Sequence, residues 1–104
     1  MSTRKIRTFT SLDGDTWDAL ATNAARVNGS WQVEMSNQEL GNILGGERNR
    51  RVASFRAKRL IEFGMVQALY SEKNGRPQPK VYVIDDDWVG KSPKVGGYYP
   101  VEVD

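Results

Sequence analysis

Residues 36–66, SNQELGNILGGERNRRVASFRAKRLIEFGMV, decide how this chain folds. Ser36 is suited to cap a helix. Glu39 stands three residues on, so the two form a capping box in which each side chain satisfies an otherwise orphaned backbone N–H. Leu40, Ile43 and Leu44 follow at helical spacing. Gly41 has no side chain and leaves room for the backbone of another helix, and Gly45-Gly46 stops the run. A longer helix is expected over Glu47 to Phe63, where Ala53, Ala57, Leu60 and Ile61 make an apolar stripe. Its opposite face carries Arg48, Arg51, Phe55, Lys58 and Arg59, and Gly64 ends it.

Upstream, Ser11 to Asp15 reads as a turn, with Asp15 or Thr16 as the cap of a first helix. Trp17, Leu20, Ala21, Ala24 and Val27 give that helix one apolar face, and Asn28-Gly29-Ser30 closes it. Trp31 to Met35 alternates apolar and polar, the period of a short strand with one buried side. Trp17 and Trp31 are both expected in the core.

Downstream, Met65–Leu69 and Lys80–Ile84 read as strands. Between them Asn74-Gly75 signals a hairpin turn, while Pro77 and Pro79 keep the connection from being a long regular ribbon. Asp85-Asp86-Asp87-Trp88 reads as a turn or the start of a short helix. Residues 1–10 lack periodicity and are expected to be a basic flexible arm. Residues 89–104, with Gly90, Pro93, Gly96, Gly97 and Pro100, are expected to be an irregular tail. The folded domain is placed at 11–88. The fold class is α+β: helix, short strand, helix, helix, strand, basic loop, strand.

Composition narrows the function. The chain has 104 residues, enough for one domain, and contains neither Cys nor His. That removes disulfides, thiol nucleophiles, Cys-containing zinc sites and every scheme that needs an imidazole. No metal site and no cofactor are expected. No apolar run approaches the ~20 residues of a membrane helix, and the basic N-terminus lacks the apolar stretch of a signal peptide. A cytoplasmic, nucleoid-associated location is expected, with no membrane and no small-molecule ligand as partner.

The net charge of +2 conceals a strong asymmetry. Residues 1–10 carry +3 through Arg4, Lys5 and Arg7, whereas residues 11–46 carry −4. Residues 47–80 carry +6 and residues 81–104 carry −3. Positive charge gathered in one segment and an arm points to a polyanionic partner. Charge alone is equally well read as a solvated helix face.

The order of elements, the capped helix Ser36–Gly45 and the segment Arg50–Val66 together resemble the winged helix-turn-helix superfamily, over roughly residues 11–88. The run Leu60-Ile61-Glu62-Phe63-Gly64-Met65-Val66 is similar to the exit from a recognition helix into a wing, and the hairpin around Asn74-Gly75 stands where the wing would be. Ala53 and Ala57 fall about two residues later than a minimal turn places them, which leaves the start of the recognition helix open by about one turn.

The resemblance implies double-stranded DNA binding, sequence-specific or architectural, with the third helix in the major groove and the wing on the flanking backbone. The implied roles are transcription regulation, or a replication, partition or packaging function in a phage or plasmid. The implied contacts are Arg48, Asn49, Arg50, Arg51, Ser54, Phe55, Lys58 and Arg59 on the helix and Lys73, Asn74, Arg76 and Lys80 about the wing. Arg4, Lys5 and Arg7 of the arm complete the set, reaching the minor groove. Asn49 falls nearer the core side of the helix. Phe55 either meets a thymine methyl or packs under the wing or in a dimer contact. The wing bases bind phosphate or simply solvate the hairpin, and the arm bases bind DNA or lie in a disordered tail.

Three other readings compete. A protein-interaction winged helix would show an apolar patch on the third helix, where six bases instead lie between Arg48 and Arg59. Tyr98 and Tyr99 still allow a homodimer contact. Catalysis would have to rest on Asp85, Asp86 and Asp87, three consecutive acids that do not converge and have no companion base, so no catalytic residues are expected. Single-strand binding would need stacking aromatics, for which Tyr70 and Tyr82 are the candidates.

Overall fold

The computed structural model describes residues 3–69, 72–73, 76–77 and 80–103. The chain begins with strand β1 (Thr3–Thr8), helix α1 (Ser11–Ala21) and strands β2 (Ala25–Val27) and β3 (Ser30–Met35). Helices α2 (Asn37–Leu44), α3 (Glu47–Arg51) and α4 (Ala53–Glu62) follow. Strands β4 (Val66–Leu69), β5 (Glu72–Lys73), β6 (Arg76–Pro77) and β7 (Lys80–Ile84) come next. A 3₁₀ turn (Asp86–Trp88) and β8 (Tyr98–Val103) complete the order. The domain is α+β, with four α-helices and antiparallel sheets among the described residues.

The central sheet runs β2-β3-β7-β4. β3 pairs with β7, Gln32 opposite Val83 and Met35 opposite Lys80, so the strand before the helices is clamped to a strand that follows them. β4 flanks β7 on its other side, with Leu69 opposite Val81. β5 and β6 form a separate two-stranded pair, in which Lys73 stands opposite Arg76. Val33, Met35, Tyr82 and Ile84 alternate inward and meet Leu20, Leu40, Ala57, Leu60 and Met65. Burying an aliphatic or aromatic side chain of this size contributes about 1.5–3 kcal/mol, and these contacts hold the helices on the sheet.

Several expectations are met in detail. Ser36 and Glu39 form the capping box: Oγ of Ser36 accepts from Glu39 N at 3.0 Å, and Ser36 N donates to Oε1 of Glu39 at 3.4 Å. Gly41 is where another backbone comes close, for a Cβ placed there would lie 2.7 Å from Cα of Arg50. Ala53, Ala57 and Leu60 are buried and Ile61 half-buried, as the stripe requires.

Others are corrected. The arm and the end of the tail are strands, while 89–97 is irregular as expected: β1 pairs with β8 along its length, Thr3 opposite Val103 and Thr8 opposite Tyr98. Phe9, read as part of the arm, is fully buried. It makes edge contacts with Phe63 at 5.6 Å and Tyr99 at 5.9 Å between ring centroids. Phe9 N donates to Gly97 O at 2.8 Å and Gly96 N to Phe9 O at 2.7 Å, which fixes the corner where the two strands leave the body.

The first helix starts five or six residues early because Thr10, not Asp15 or Thr16, caps it, with Asp13 completing the box. It ends at Ala21, and Ala25–Val27 is a strand. Asn28 and Gly29, at φ 50° and 86°, form the two-residue turn between β2 and β3. Trp31 is 38% exposed at the sheet margin. The single long helix is two helices, broken at Val52 with φ −112° and ψ 19°.

Candidate nucleic-acid interface

The α2–α3–α4 unit is positioned by three features of the sequence. The Gly45-Gly46 linker takes φ 74° and 76°, conformations that side-chain-bearing residues rarely adopt, and so turns the chain sharply after α2. The bare flank of Gly41 lets α3 lie directly on α2. The break at Val52 redirects the chain so that Ala53, Ala57 and Leu60 face the core.

The solvent side of α3 presents Arg48, Arg50 and Arg51, all exposed, and that of α4 presents Ser54, Phe55 and Lys58, also exposed. Asn49 is half-buried, in keeping with its angle toward the core. Phe55 keeps 51% of its surface exposed, so it is not packed into the body of the domain. Lys80 joins Ser54, Phe55, Ala57, Lys58 and Ile61 around an open groove of about 520 Å³ between α4 and the start of β7.

Two of the expected contact residues are engaged elsewhere. Arg59 turns inward to Asp13, its Nε donating to Oδ1 at 2.7 Å and Nη2 to Oδ2 at 2.9 Å. Asp13 is fully buried, and its carboxylate also accepts from Thr10 N at 2.9 Å. Burial pushes the Asp13 carboxyl up, but the Arg59 guanidinium and the Thr10 N–H together outweigh it and hold the group below the ordinary carboxylate value. Arg59 is raised in turn, chiefly by its hydrogen bond to Asp13. This pair bolts α4 to α1, which is a structural role.

Arg7, expected in a DNA-reaching arm, donates to Glu62 at 3.2 Å and ties β1 to the last turn of α4. Arg4 and Lys5 stand opposite Glu102 and Val101 in the same ribbon, not on a free arm. Lys73 and Arg76 occupy β5 and β6, whereas Asn74 lies outside the described residues.

Arg51 is held to Glu47 at 2.5 Å in an exposed pair one helical turn apart, an arrangement that contributes about 0.3–0.5 kcal/mol and is easily exchanged for another anion. Arg48, Arg50, Arg56 and Lys58 have no ion pair among the described residues. Arg56 is missing from the contact set drawn from the sequence. Its guanidinium lies 6.0 Å from the centre of the Phe55 ring, and its buried Nε has no hydrogen-bond partner among the described residues. Adjacency to Phe55 was the available signal, obscured because Arg56 sits between the two faces of the helix.

The rival readings gain little geometry. Tyr82 is buried, which removes it as a stacking platform, and Tyr70 lies outside the described residues. Asp85 caps the 3₁₀ turn by accepting from Asp87 N at 3.0 Å. No cluster of acids suited to a metal occurs among the described residues. Tyr99 is half-buried against Phe9, Phe63 and Trp88, and its hydroxyl accepts from Lys94 N at 2.8 Å; Tyr98 remains exposed. A second groove, of about 380 Å³, gathers all three tryptophans, Trp17, Trp31 and Trp88, and shares no lining residue with the one beside α4. Among the described residues no helix is long and apolar enough to cross a membrane.

No protein-family model matches the chain, and neither the curated proteins nor the solved structures contain a match to it.

Proposed function

We propose that this chain is a winged helix-turn-helix module that binds double-stranded DNA without catalysing a reaction. The α3–α4 segment enters the major groove, and the β4–β7 hairpin with its β5–β6 extension is the wing on the flanking backbone. The observation that carries the reading is the outer surface of α3–α4, where Arg48, Arg50 and Lys58 are exposed, Arg56 is half-buried beside them, and none of the four has an ion pair among the described residues. A cationic helical face on a rigid body is suited to a groove walled by phosphates. The pairing of β3 with β7 and of β7 with β4 supports the winged-helix part of the reading, since it sets a small sheet behind the helices and leaves a hairpin beside them.

A module this small makes few contacts, and two copies on neighbouring half-sites would give useful specificity. Ile6 and Tyr98, 74% and 73% exposed on the β1–β8 ribbon, offer apolar surface for such a pairing. The biological setting we assign is nucleoid-associated: transcription regulation, or a phage or plasmid replication, partition or packaging complex.

The test is fluorescence anisotropy of a labelled ~25 bp duplex and of the matched single strand across a salt series. The wild type should prefer the duplex. Arg48→Ala/Lys58→Ala should bind more weakly and flatten the slope of log K against log salt by about 2, one counterion per lost phosphate contact. Absence of binding to either nucleic acid at low salt would refute the proposal and leave a protein-interaction module as the better account.

A further inference from the structure

An exposed aromatic ring on a charged helix face needs an explanation. Phe55 keeps half its surface in solvent although its neighbours along α4 alternate between the core and charge. Among the described residues of α4, Phe55 is the one large hydrophobic side chain that is exposed. Arg56 lies over it at 6.0 Å, and Lys58 and Lys80 border the groove it overhangs. Ala57 and Ile61 line the same groove, apolar side chains beside the two lysines. Protein-binding patches show the opposite pattern, since their buried centres are depleted in lysine. A partner that fits both parts is anionic along its edge and apolar at one point further in.

The DNA major groove has that character. Phosphates line it, and among the four bases only thymine places a methyl group there. We infer that Phe55 is a specificity-determining residue that packs on a thymine C5-methyl, while Lys58 and Lys80 face the flanking phosphates. The inference rests on the DNA-binding reading and adds to it a base preference at one position. Ser54, one residue before Phe55 and on the same groove, is a hydrogen-bonding side chain suited to several bases and does not itself impose that preference.

Removing a single methyl tests this with little other disturbance, because deoxyuridine pairs as thymidine does but lacks the C5-methyl. Duplexes are first selected from a randomised pool of about 20 bp, two turns of helix. Each thymidine of the selected site is then replaced in turn by deoxyuridine, and affinities are measured for the wild type and Phe55→Ala. The exposed position of Phe55 makes this variant tolerable to the fold. For the wild type, one position should lose about fourfold in affinity, as expected for one methyl taken out of contact. In Phe55→Ala that difference should vanish while the salt slope is retained.

A flat replacement scan, or a fourfold effect that persists in Phe55→Ala, overturns the inference but leaves salt-dependent duplex binding and the broader reading intact. Preference for single strands, lost in Phe55→Ala, also overturns it and makes Phe55 a base-stacking residue instead. Failure of every duplex to bind overturns both together.

Discussion

Replacing Arg59 by methionine tests whether α4 is held in place by the buried pair. The substitution keeps most of the aliphatic length and removes the guanidinium. In the native protein the Asp13 carboxylate accepts from Nε of Arg59 at 2.7 Å, from Nη2 at 2.9 Å and from Thr10 N at 2.9 Å, with no solvent exposure. Arg59→Met deletes two of these bonds and the counter-charge. Charge-assisted bonds contribute about 1.5–3 kcal/mol each, and stranding one member of a buried pair costs about 3–5 kcal/mol. We expect a loss of about 4 kcal/mol at neutral pH, equivalent to a fall in Tm of about 20 °C for a domain of this size.

The pH dependence gives a second signature. In the wild type the Asp13 carboxyl lies below its unfolded value, so its contribution is present above that value and is lost as pH falls through the folded one. Without Arg59 burial prevails, the folded value rises above the unfolded one, and protonation now favours the native state. The deficit of the variant should therefore shrink between neutral pH and about pH 4. Urea unfolding followed by circular dichroism at the two pH values reads both effects. A deficit below about 1 kcal/mol, or one equal at both pH values, would show that the pair behaves as a surface ion pair and refute the reasoning.

Two further substitutions probe the frame around the site. Gly41→Ala would put a Cβ 2.7 Å from Cα of Arg50, a backbone contact with no flexible side chain to yield. It should cost about 1–3 kcal/mol in urea unfolding and weaken duplex binding by displacing α3. Val101→Ala, in the segment read as tail from the sequence, should cost about 2 kcal/mol because Val101 is 1% exposed; an effect within about 0.5 kcal/mol, typical of surface positions, would contradict its place in the core.

The parts of the fold legible in the sequence were those governed by local rules. Ser36 and Glu39 lie three residues apart and satisfy each other wherever the rest of the chain goes, so α2 was placed to within a residue at its start. The alternation of Trp31 to Met35 gave β3 in the same way. The parts missed depend on partners distant in sequence. β1 has no period of its own and becomes a strand only because β8 lies beside it. The Asn28-Gly29 turn is legible by the rule that marks the same dipeptide at 74–75 as a hairpin signal. The apolar spacing from Trp17 to Val27 masks it, because that spacing matches a helix continuing past Ala21.

At the site, exposure followed from the helical stripe for Arg48, Arg51, Ser54, Phe55 and Lys58, which lie on the outer face as expected, and Arg50 is exposed beside them. Which bases are free could not follow from the stripe. Arg59 was committed to Asp13, 46 residues away, and Arg7 to Glu62, 55 residues away. Local charge patterns do not carry pairings of that range.

The pairing of β1 with β8 also sets the order in which the molecule can be built. Thr3 waits for Val103, and Phe9 waits for Tyr99 and Gly97, before the aromatic corner can close. Contacts of such sequence separation close the longest loop in the chain and form late. During synthesis the helices and central sheet emerge first, with the ring of Phe9 covered on the side of Phe63 but open on the side of Tyr99 until β8 arrives. A nascent chain halted before Tyr98 carries the whole cationic face but an unfinished core, and should be recognised as unfolded.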